Sequence, residues 1–104
     1  MPQTPRSPVP TQVSEVATEL ERVVQRWRQL PLDRALSYAG RVRALVQSLA
    51  DGVARATGVP ASVVPDCGLA TLMDQLTVLV YDARAATVTS GLAEDLANLR
   101  RELV

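Results

Sequence analysis

The sequence predicts an all-α fold, a small antiparallel helical bundle, on three observations. Apolar residues recur at alternating spacings of three and four along most of the chain, the period of one helix face. Hydrophobic residues make up 47% of the 104 residues but aromatics only 3%, with no Phe. The core is therefore built from Leu, Val and Ala, which suits helices pressed closely together. The periodic runs are punctuated by Pro31, by Gly58-Val59-Pro60 and by Ser90-Gly91, residues that stop helices and restart them.

The first ten residues, "MPQTPRSPVP", stand apart from this pattern. Pro2, Pro5, Pro8 and Pro10 lock extended backbone and offer little to bury, so residues 1–10 read as a disordered tail and 11–104 as one domain. From Thr11, Val13, Val16, Leu20, Val23, Trp27 and Leu30 form one helical face, with Thr11 or Ser14 as a cap and Trp27 in the core series. Asp33 is the candidate cap of a second helix, whose face is Tyr38, Val42, Leu45, Leu49, Val53 and Ala56. Gly40 and Gly52 inside it each cost roughly 1 kcal/mol relative to Ala, which leads us to expect close helix approach at both. A loop from Gly58 to about Pro65 follows.

The third helix is expected to begin at Asp66, with Asp66 as cap and Cys67 in its first turn, and to run on Leu69, Leu72, Leu76, Leu79, Ala83 and Ala86. "TVTSG", residues 87–91, reads as a stop and restart, and Leu92, Leu96, Leu99 and Leu103 make the last helix. Four helices result, or three if the last two are continuous. A domain of about 90 residues sits near the size at which burial barely exceeds the entropy cost. Self-association, most simply as a dimer, would relieve that marginality.

Charge excludes some functions and limits others. Eleven Arg balance eleven Asp plus Glu, so no net field recruits nucleic acid or an anionic membrane. Residues 1–58 nevertheless hold eight Arg against five acids, and residues 59–104 three Arg against six. Helix dipoles account for most of these. Glu15 and Glu19 open the first helix and Arg26 and Arg28 close it; Asp33 and Arg55, Asp66 and Arg84, and Glu94-Asp95 and Arg100-Arg101 do the same for the others. Arg41 and Arg43 are left over. With Arg22 and Arg26 they form a candidate basic patch, the basis of an alternative reading as a nucleic-acid-associated regulator.

Catalytic chemistry finds no constellation. His is absent, which removes the usual general base and the commonest metal ligand. No Gly-rich phosphate loop or nucleophile elbow occurs, and the expectation is a non-enzyme with no metal, cofactor or small-molecule substrate. Cys67 is the one cysteine. A helix N-terminus would favour its thiolate, Asp66 opposes it, and no second Cys or His completes a cycle; a buried structural thiol is expected, with a reactive one as the alternative. A lone Cys, no h-region and no long apolar run imply a cytoplasmic chain without a membrane span. The absence of Lys, His, Ile and Phe matches the codon economy of a GC-rich bacterial genome.

The third helix carries more apolar residues than one face uses. At 100° per residue, Leu69, Leu72, Met73, Leu76, Leu79, Val80 and Ala83 gather on one side, and Val78, Tyr81 and Ala85 lie opposite, between Asp74 and Asp82. Apolar residues bordered by carboxylates suit an interface with a polar rim. Asp74, Val78, Tyr81, Asp82 and Ala85 are therefore the candidate partner-binding residues. The expected function is a helical adaptor, accessory subunit or regulator that contacts another protein, or its own copy, through helix faces.

Overall fold

The computed structural model describes residues 9–104, with side chains from residue 15 onward, and the fold is all-α. Among the described residues four helices follow in order: α1 (Val9–Gln29), α2 (Leu32–Thr57), α3 (Leu72–Ala85) and α4 (Leu92–Glu102), with a short 3₁₀ turn over Leu69–Thr71 before α3. The described residues contain no strand.

Boundaries shift from expectation where caps decide them. α1 begins at Val9, two residues early, because a proline such as Pro10 is tolerated in a first turn where its missing amide would be unpaired anyway. Thr11 and Ser14 thus lie inside the helix and do not cap it. The rest of the expected tail lies outside the described residues. Leaving α1 costs only Leu30 and Pro31, and α2 opens directly after Pro31. It ends on Gly58 at φ 74°, whose amide bonds back to the Ala54 carbonyl, a left-handed cap that glycine adopts without strain. α3 ends in the same way with a less suited residue. Thr87 has φ 56°, its amide donates to Arg84 O and the Val88 amide to Ala83 O, the two bonds of a Schellman cap. That cap separates α3 from α4, which restarts after Gly91 at φ 74°.

Asp66 does not cap α3, which starts six residues later than Asp66. The Asp66 carboxylate instead accepts from the Gly68 amide at 2.9 Å, an Asx turn that competes with helix formation. The connecting segment therefore extends over residues 58–68, and it runs back along α2. Gln47 anchors it, donating to Ser62 O at 3.0 Å and accepting from the Val64 amide at 2.8 Å. Asp66 is held by Arg43 at 3.1 Å. α3 consequently begins beside the middle of α2 and travels in the same direction. Gln75 shares a shallow groove with Arg43 and Gln47, whereas Val88, beyond the end of α3, lies over Gly52. α4 then returns until its end meets the start of α2, where Arg34 donates to the Val104 carbonyl at 2.6 Å. Two helices run each way, and the closest pairs, α1 with α4 and α2 with α3, join helices of like direction.

One core unites all four helices. Val16 and Val23 of α1, Val42, Leu45, Val46 and Leu49 of α2, Leu72, Leu76 and Val80 of α3, and Leu92, Leu96, Leu99 and Leu103 in and just after α4 form a single buried cluster. Trp27 is half-buried against it, as its place in the α1 series implies. Ala56 is exposed, because α2 outlasts the helices that cover it. The two glycines of α2 part company. Gly52 is buried against Val88, with 3.4 Å left between an added Cβ and that side chain. Gly40 faces nothing within 4 Å, so the close approach expected there does not occur. Gly40→Ala should therefore stabilise the protein by about 0.5–1 kcal/mol through helix propensity alone, read as a rise of a few degrees in Tm.

Candidate functional site

α3 separates its two faces cleanly. Leu72, Met73, Leu76, Val80 and Ala83 are buried; on the opposite side Asp74, Val78, Tyr81 and Ala85 are exposed. Val78 is 54% and Tyr81 71% exposed, high for apolar residues at the middle of a helix. Asp82, at the flank, is half-buried. Arg84 is half-buried as well, on the other flank and nearer the inner face, and among the described residues no side chain pairs with Asp74, Asp82 or Arg84. The helix holds its outer strip in place because its inner face is locked into the core and α2 backs it along its length.

The candidate basic residues do not form one free surface. Arg22 pairs with Glu19 one turn earlier at 3.4 Å, and Arg26 is exposed. Arg41 reaches across to Glu102 of α4 at 2.9 Å, and Arg43 holds Asp66 in the loop. The two arginines that helix dipoles leave unexplained thus have a structural explanation: they clip α4 and the returning loop onto α2.

A further ion pair was hidden in the dipole pattern. With α1 starting at Val9, its first turn holds no acid, and Glu19 sits mid-helix. It accepts from Arg100 of α4 at 2.8 Å, with 15% of its side chain and 25% of that of Arg100 exposed. The hydrogen bond from Arg100 is the main cause that holds the Glu19 carboxyl below its ordinary range, against a smaller opposing effect of burial. Sequence spacing cannot reveal a contact between residues 81 apart. Glu15, Glu19 and Glu94 line a groove between α1 and α4, with Arg22 at its side.

Cys67 is exposed, contrary to the buried thiol expected. It lies in the loop before the 3₁₀ turn, outside the helix, where no apolar neighbour covers it. Among the described residues no group of three His, Cys, Asp or Glu side chains could hold a metal ion, and no helix is long and apolar enough to cross a membrane. Neither a family model, nor a curated protein, nor a solved structure matches the chain.

Proposed function

We propose that this protein is a non-enzymatic interaction module, an adaptor, accessory subunit or regulator, which binds another protein chain through the outer face of α3 and self-associates by it. The observation that carries this reading is the exposure of Val78 and Tyr81 at adjacent turns of a rigid helix, between Asp74 and Asp82. An aromatic anchor beside a small aliphatic, bordered by carboxylates, has the composition of an interface core and rim. A lone cysteine fits a reducing cytoplasm as the place of action. The nucleic-acid alternative draws less support, since Arg22, Arg41 and Arg43 each already face a carboxylate.

Tyr81→Glu tests the reading. Sedimentation equilibrium of the wild-type protein up to about 1 mM should give a mass above the monomer. The variant should sediment as a monomer with an unchanged helical spectrum, since Tyr81 supports no core contact. Wild-type protein that stays monomeric, or association that Tyr81→Glu leaves intact, would overturn it.

A further inference from the structure

The spacing of the outer strip of α3 is the same in both directions. Asp74, Val78, Tyr81 and Ala85 are spaced four, three and four residues apart, and the order of spacings survives reversal. At 1.5 Å per residue, turning the helix end for end about the midpoint between residues 79 and 80 carries Val78 onto the level of Tyr81 and Asp74 onto that of Ala85. The four-three-four spacing is also the stripe of a coiled-coil seam, in which antiparallel helices meet in such paired layers. Charge follows the same symmetry. Asp74 lies in the first turn of α3 and Arg84 in the last, so reversal sets an unpaired acid against an unpaired base at both ends. The small side chain of Ala85 leaves room for that arginine to reach across. A parallel arrangement would instead stack Asp74 on Asp74 and Arg84 on Arg84.

From this self-complementarity, and resting on the functional reading of α3 given above, the geometry points to a second copy of this chain as the partner. The two α3 helices dock antiparallel about a two-fold axis that passes between Val78 and Tyr81. Val78 of each copy packs beside Tyr81 of the other, and Asp74 of each meets Arg84 of the other. The contact is isologous and closes at a dimer. One pair of 14-residue helices buries an area at the low end for specific interfaces, under about 1,200 Å² in total. An interface of that size belongs with weak, transient associations, so the dimer is sought at high protein concentration.

Reversing the charges separates the arrangements. Asp74→Arg and Arg84→Asp should each weaken dimerisation about fivefold, since each sets like charges together at both ends of the contact. The double variant Asp74→Arg/Arg84→Asp should return to within about twofold of the wild-type Kd. Helical spectra of all three variants should match the wild type, because neither side chain has an intramolecular partner among the described residues. A dimer that Tyr81→Glu disrupts but the double variant fails to restore would overturn the antiparallel pairing and leave the α3 face standing as the binding surface. A wild-type protein that remains monomeric to about 1 mM would overturn both.

Discussion

Leu76→Ala is expected to destabilise the protein by about 2–5 kcal/mol, the largest effect of any substitution considered. Leu76 is completely buried at the middle of the inner face of α3, within the cluster that all four helices share. Truncation removes about three carbon groups from that cluster and leaves a cavity, because a close-packed core relaxes only partly around the missing atoms. A small domain has only about 5–15 kcal/mol to lose, so a substantial part of the population unfolds at modest urea concentrations. Equilibrium urea unfolding at unchanged m checks the value. A loss below about 1 kcal/mol would mean that α3 is not seated as described. The outer strip of α3 depends on this inner anchor, and the self-association proposed above should weaken where the variant is partly unfolded.

Glu19→Gln should cost about 1–2 kcal/mol at neutral pH. That figure lies between the ≤1 kcal/mol typical of exposed pairs and the 3–5 kcal/mol of breaking fully buried ones, in keeping with a pair 15% and 25% exposed. The substitution leaves the Arg100 guanidinium half-covered and without its countercharge. Acid should have the same effect on the wild type. The carboxyl of Glu19 is held below its ordinary value of 4.5 in the folded protein, so the unfolded chain takes up a proton first as pH falls. The stabilisation is then present in full above 4.5 and is lost as pH drops through the folded-state value. The stability difference between wild type and Glu19→Gln should accordingly be constant from pH 6 to 8 and shrink towards zero in acid. Taking that difference cancels Asp66, Glu102 and the other carboxylates common to both proteins. A difference independent of pH would show that the carboxylate charge of Glu19 contributes nothing.

The helices themselves were legible because their cause is local. Leu92, Leu96, Leu99 and Leu103 follow the period of one face, and all four are buried. The two-sided character of α3 was equally visible, since the angle between Leu76 and Tyr81 is a property of the helix. What periodicity misses is competition at the ends. Asp66 has the composition of a helix cap, yet its carboxylate is taken by Gly68 and Arg43, and the start of α3 moves to Leu72. Cys67 is exposed for the same reason, since the helical turn that would cover it does not form. Pairing between distant segments was invisible too. Nothing in the spacing of Arg41 and Arg43 names Glu102 and Asp66, and only the return of the loop along α2 brings these partners together. The exposure of Asp74, Val78, Tyr81 and Ala85 is untouched by these shifts, because it follows from helix geometry alone.

The path of residues 58–68 along α2 also governs how the molecule can come apart and come together. The tightest helix pairs, α1 with α4 and α2 with α3, both straddle this exposed segment. A cut within it would not release two independent halves. It would produce two fragments, each supplying one member of both pairs, and these are expected to elute together in size-exclusion chromatography after the cut. The same interlocking bears on assembly of the intact chain. Contacts such as that of Glu19 with Arg100 close loops of 81 residues before they bring any return, so the fold has a larger share of distant contacts than a simple up-and-down bundle. Its folding is therefore expected to be slower than that of such a bundle.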